Sequence, residues 1–176
     1  MTDVKRAIPL LVAAGLLVGL MAPMNATASA PKRSWGCWQP RHMERGFATE
    51  TNRARTAAGL GKLHFDPQLS KDARVHTRAM ARSNTLYHTS NSQLAHRVTN
   101  WVMLGENVGE GYGASVGALQ SAFMHSPEHR ANILHSTFRH VGIGVVKHAG
   151  VTWVTVLFEA SSDPGTRLSP PRCANR

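Results

Sequence analysis

The sequence holds only two cysteines, Cys37 and Cys173, in 176 residues. Neither belongs to a CxxC pair, which sets aside the common thiolate zinc sites. In an oxidising, exported setting such a pair is most simply a disulfide; the alternative is two free or intermolecular thiols. A bridge would close a loop of about 137 residues and stabilise the fold by roughly 4–5 kcal/mol. Long apolar runs are also missing. The stretch from Ala7 to Met21 is too short for a comfortable membrane span. Gly109-Glu110-Gly111-Tyr112-Gly113 lacks the Gly-Lys-Ser/Thr ending of a phosphate loop. No nucleic-acid-binding motif and no internal repeat is present. Acidic residues are scarce, 10 against 20 basic, for a net charge of +10.

What is present begins with an export pattern. Lys5 and Arg6 precede the apolar stretch, and Ala28-Ser29-Ala30 follows it with the small residues of a cleavage site. Residues 1–30 are therefore expected to be a signal peptide, with an uncleaved anchor as the alternative. Their removal would take away Lys5, Arg6 and Asp3 and leave +9. A secreted location follows, with no integral membrane segment after cleavage. The positive charge favours anionic surfaces such as cell-wall polymers, lipid headgroups or nucleic acid. The basic residues Arg53, Arg55, Lys62, Lys71, Arg74, Arg78 and Arg82 look scattered, and on helices that spacing is expected to give solvated faces.

Residues 31–40 form a lead-in with Trp35, Cys37 and Trp38; 41–160 hold one domain, and 161–176 an irregular tail with Cys173. Helices are expected over Arg41 to Ala58, from Asp66-Pro67 to Ser83, and from Ala114 to His125. Ser126-Pro127 should start another, with Ser126 as cap and Pro127 at the first position. Leu63-His64-Phe65 reads as an extended link and Leu94 to Val98 as a single helical turn. Gly109 to Gly113 invites a flexible loop. His140 to Lys147 and Val151 to Phe158 should pair as a hairpin. Helices first and a hairpin last suggest an α+β fold, with an antiparallel sheet covered by helices.

Three polar stretches could work together: Tyr87-His88-Thr89, Gly105-Glu106-Asn107 and Ser126-Pro127-Glu128-His129-Arg130-Ala131-Asn132-Ile133-Leu134. With Val141-Gly142-Ile143-Gly144-Val145 after them, they resemble the CAP superfamily. That superfamily comprises cysteine-rich secretory proteins, antigen 5 and pathogenesis-related class 1 proteins, and the match is nearest to the bacterial, secreted SCP-like branch. The resemblance runs from about Met43 to Phe158. It implies a three-layer α-β-α sandwich with helices on both faces of the sheet.

The resemblance also implies a cleft lined by two histidines and two acidic residues. His88, Glu106 and His129 match three of the four. The fourth place holds no carboxylate, only His125 and Ser126, and Glu110 from the following stretch is the other candidate. Two imidazoles and a carboxylate are what zinc accepts in hydrolases, so a metal at His88 and His129 with Glu106, acting on peptide or cell-wall substrates, is one expectation. No nucleophile stands out, because Ser90 and Ser126 read as turn and cap residues. The preferred expectation is a monomeric binding module rather than an enzyme. Its ligand would be an extracellular lipid, sterol or cell-surface polymer, with a defence or antagonism role implied by the resemblance. Asn107 and Asn132 are expected to tie loops and helix ends, and His76 to be a core or rim residue.

Overall fold

The computed structural model describes residues 40–161 and the backbone of residues 165–166. The expected signal peptide, the lead-in with Cys37, and Cys173 lie outside them. Within the described residues, α1 (His42–Ala57) leads through β1 (His64–Phe65) to α2 (Pro67–Ser83) and α3 (Asn91–Arg97). Next come β2 (Val98–Thr99), β3 (Leu104–Tyr112), α4 (Val116–His125) and α5 (Pro127–Ile133). The hairpin of β4 (His140–His148) and β5 (Val151–Glu159) follows, then β6 (Gly165–Thr166). The sheet has the order β1-β4-β5-β3. It separates α2 from the layer formed by α1, α4 and α5, so the fold is the expected α+β sandwich.

Strand alternation sorts the core onto the two faces. Val141, Ile143 and Val145 of β4, with Val154, Val156 and Phe158 of β5, pack against Phe47, Leu119, Phe123, Ile133 and Phe138. On the other face Leu157 meets Leu69 and Ala73, while Trp153 and Val108 meet Met80 and Ala81. Between its apolar residues β4 places Gly142 and Gly144. A Cβ on Gly142 would lie 2.3 Å from the Leu69 backbone, and one on Gly144 would lie 2.6 Å from that of Ala73. The α2 backbone therefore rides directly on β4. Thr77 fixes the contact, its hydroxyl lying 3.1 Å from the Gly144 carbonyl and 2.9 Å from the Thr155 hydroxyl.

Several elements differ from expectation. The sheet is mixed, because Leu63-His64-Phe65 is more than a link. His64 and Phe65 run parallel to β4, with His64 N–H on the Arg139 carbonyl and Asp66 N–H on that of Val141, both at 2.9 Å. Open backbone groups on the β4 edge thus set its conformation. Gly109 to Gly113 is not a loop, since β3 continues to Tyr112. A Cβ on Gly109 would come within 2.8 Å of the Phe123 ring, so this glycine serves close packing. The helical turn at Leu94 is a seven-residue helix capped by Ser90, whose hydroxyl accepts from Gln93 N–H. The expected irregular tail contributes β6, which pairs with β2.

Arg55 is the other departure. It belongs to no solvated face: its side chain is buried, and its guanidinium donates to the carbonyls of Gly61, Ile133, His135 and Phe138 at 2.8–3.3 Å. Burial, and then the charge of Arg139, lower its pKa. These four bonds join the end of α1 to the end of α5 and the segment before β4. Two outcomes follow. Gly144→Ala should cost about 3 kcal/mol through the forced shift of α2 and lower the melting temperature by about 10 °C. Arg55→Met should cost a similar ~3 kcal/mol by leaving buried carbonyls without donors. Thermal and urea denaturation read both.

Candidate functional site

The candidate site forms at β3, which lies at the edge of the sheet. Alternation turns Glu106 and Val108 toward α2 and Gly105, Asn107 and Gly109 toward α4 and α5. The α5 side is held by amides. Asn132 Nδ2 donates to the Glu106 carbonyl at 3.2 Å and to Asn107 Oδ1 at 2.9 Å, and Asn107 Nδ2 donates to the His129 carbonyl at 3.0 Å. All of these groups are buried. The asparagines therefore play the tying role expected of them, and they fix His129 against the strand.

On the α2 side Glu106 is nearly saturated. Its Oε2 accepts from His88 Nδ1 and from Thr89 N–H, both at 2.9 Å, and its Oε1 accepts from the Thr89 hydroxyl at 2.8 Å. A carboxylate can only accept, so Nδ1 of His88 carries a proton. His76 stands behind, with Nε2 3.9 Å from Glu106 Oε1 and bonded to the Tyr87 carbonyl at 2.9 Å. One helical turn earlier is Asp72. Burial pushes its carboxyl up to about 6, opposed by Arg97 and reinforced by Glu106. Arg97 Nη1 lies 3.5 Å from Asp72 Oδ1.

His129 is fully buried and stacks on Phe123 with ring centroids 4.9 Å apart. Its Nδ1 lies 2.7 Å from the Ser126 hydroxyl, which donates in turn to Glu128 Oε2 at 3.1 Å. Ser126 has one proton and gives it to the carboxylate, so His129 Nδ1 must be the donor to Ser126. The lone pair is then on Nε2, a buried atom with no hydrogen-bond partner among the described residues. Burial, and next the charge of His88, lower the His129 pKa to about 4, against the pull of Glu128 and a Val108 backbone group. The imidazole is neutral at pH 7, and the two histidines lie close enough to feel each other.

Of the residues singled out by sequence, His88, Glu106 and His129 thus gather at one edge strand. Ser126 joins them, but not as the expected cap: its hydroxyl makes no cap bond and binds His129 instead. Glu128, the residue before His129, reaches it through that hydroxyl. His125 is exposed and bonds the Ser121 carbonyl. Glu110 lies on β3, its carboxyl raised by burial, and makes no hydrogen bond or ion pair with the set. Sequence reasoning missed Asp72 and Thr89, and gave His76 no part in the network. An acidic residue and a histidine four apart on one helix was the available signal.

The geometry does not fit the expected three-ligand zinc site. No three His, Cys, Asp or Glu side chains among the described residues converge as ligands, and both Glu106 oxygens are engaged by His88 and Thr89.

Comparison with known proteins agrees with the fold. The model of the cysteine-rich secretory protein family, CAP, matches residues 48–158. The chain belongs to the CAP family. It is 31% identical over 135 residues to the uncharacterised Bacillus subtilis protein YkwD, covering 73% of this chain and 49% of that protein. It is 29% identical to the uncharacterised Bacillus subtilis membrane protein YlbC over 54% of this chain and 29% of that one. This CAP chain therefore spans about half or less of those relatives' lengths. Among solved structures, an outer surface protein of Borrelia burgdorferi superposes with a TM-score of 0.61 at 18% identity, covering 69% of this chain and 95% of that one. An extracellular SCP-domain protein of Bacillus anthracis gives 0.58 at 23%, covering 66% and 40%.

The depressed pKa of His129 makes a checkable demand. Below pH 6.5 the unfolded chain takes up a proton that the folded chain refuses until about pH 4. The stability that His129 contributes above pH 6.5 is therefore lost as pH falls through that window, by up to about 3 kcal/mol. Asp72, with a raised pKa, acts in the opposite sense, so the comparison must be with a variant. Between pH 7 and 4.5 the wild type should lose about 2 kcal/mol more than His129→Gln in urea denaturation. Parallel pH profiles would contradict the assigned burial.

Proposed function

We propose that this CAP domain is an exported binding module that holds an extracellular ligand at the β3 edge through His88 and His129. The observation that carries this is the matched state of the two imidazoles. Each has its Nδ1–H tied to an acceptor, Glu106 for His88 and Ser126 for His129, and the buried Nε2 of His129 is left as an acceptor with no partner among the described residues. A neutral acceptor in a region of low polarity suits a ligand that brings a hydroxyl, as a sterol, a lipid headgroup or a cell-surface glycan does. Ser126, the hydroxyl nearest His129, is held between two partners and is not poised to attack a carbonyl. Binding therefore has more support than hydrolysis. An extracellular setting accords with the export pattern of residues 1–30. Among the described residues, no helix is long and apolar enough to cross a membrane.

The test is titration of a fluorescent sterol, a fluorescent fatty acid and soluble cell-wall glycan fragments against wild type, His88→Ala and His129→Gln. One of the three should bind wild type and lose about tenfold or more in affinity in each variant, the value of one good hydrogen bond in a dry site. Equal affinity in all three proteins would remove the β3 edge from the account. Ser126→Ala should weaken binding less, because it frees the His129 ring without deleting it.

A further inference from the structure

Burial redistributes the charge of this chain. In residues 40–161, Glu44, Asp66, Asp72, Glu106 and Glu159 are all buried, whereas among the basic residues only Arg55 is. The surface is accordingly far more basic than the composition implies. Nor is the charge evenly spread. Arg74, Arg78 and Arg82 recur every four residues on the outer face of α2, about 6 Å apart along its axis. Arg41, at the start of α1, joins them: the positive charges of Arg41, Arg74 and Arg82 all act on Arg78, whose pKa is lowered first by burial and then by these neighbours. One carboxylate lies at the cluster, Glu44, and it is already bonded to the Arg74 guanidinium and to Arg41 N–H. Arg78 and Arg82 make no ion pair with any carboxylate of the described residues.

We infer that the outer face of α2 is a docking surface for a phosphodiester polyanion, engaged through Arg41, Arg78 and Arg82. Like charges held close on a rigid helix repel one another, and a counter-charge that bridges them relieves this. The cations at the cluster are guanidinium groups, whose fixed fork matches phosphate oxygens in a way an ammonium does not. A bilayer is a poorer occupant. Val75 is the one large apolar side chain exposed on this helix, and a lone valine makes no wedge for lipid. No aromatic ring stands among these arginines on α2 to stack a base, so the polymer is held by its backbone charge and not by its sequence. The surface is on the opposite side of α2 from the sheet and does not involve the β3-edge histidines.

Fluorescently labelled oligothymidylate, a single-stranded phosphodiester polymer, serves as the probe, titrated at about 0.1 M salt, where weak long-range attraction is largely screened. The Arg78→Gln/Arg82→Gln protein is compared with Lys62→Gln/Lys147→Gln, which removes the same charge from exposed sites elsewhere. The arginine pair should weaken binding by about tenfold and lower the slope of log K against log salt by about 1.5, as loss of two phosphate contacts requires. The lysine pair should change affinity less than about twofold. Equal losses in both proteins would mean net charge alone acts and would overturn the proposal. So would the absence of saturable binding, or binding to phosphatidylglycerol vesicles without binding to oligothymidylate.

Discussion

The hold of α5 on the edge strand β3 is the constraint from which the rest of the site follows. Two asparagines supply it. Asn132 reaches the carbonyl of Glu106 and the side chain of Asn107, and Asn107 reaches the carbonyl of His129. All three bonds are buried, where an unpaired amide would be costly, so the helix cannot slide along the strand without leaving polar groups unsatisfied. His129 is thereby placed at the strand edge, stacked on Phe123. Gly109 leaves room for that ring, and Gly105 leaves room for Asn132 and Phe138.

The opposite face of the strand is fixed by a different device. Gly142 and Gly144 bring the α2 backbone onto β4, and α2 then carries Asp72 and His76 to within reach of Glu106. A sheet four strands wide thus connects two helical layers to one edge. One layer supplies His129 with Ser126 and Glu128, and the other backs Glu106, which holds His88. In both cases a carboxylate fixes the proton on Nδ1, directly for His88 and through a hydroxyl for His129. A proton is held on Nδ1 by two routes, so both rings are oriented although the chain has no carboxylate at the fourth position.

The burial of acidic groups has a second effect, on the outside. Carboxylates engaged in capping, in the Glu44 ion pair and in the Glu106 network are withdrawn from solvent. What remains among the described residues is a basic surface, with Arg74, Arg78 and Arg82 in a row on α2. A net charge is a property of composition, but its surface density is a property of packing.

The motif residues were legible because each belongs to a short stretch with a local reason: Pro127 opening a helix, a glutamate between glycine and asparagine, and glycines alternating with β-branched residues. The long apolar alternation of β4 and β5 likewise determined the hairpin and, with the helical periods before it, the α+β class. Local pattern could not reveal that Gly109 lies in a strand, because its reason is an aromatic ring brought from α4. Nor could it reveal that Arg55 is buried, that Glu128 reaches His129 through Ser126, or that His64 and Phe65 complete a parallel edge. In each case the deciding partner is distant in sequence or hidden by a turn of helix. The sequence by itself determined which side chains carry chemistry and which segments are helix or strand, because those depend on neighbours a few residues away. Only the tertiary structure decided which of them meet, which carry a proton and which face water, because burial and hydrogen bonding are set by groups that the chain brings together only when it closes.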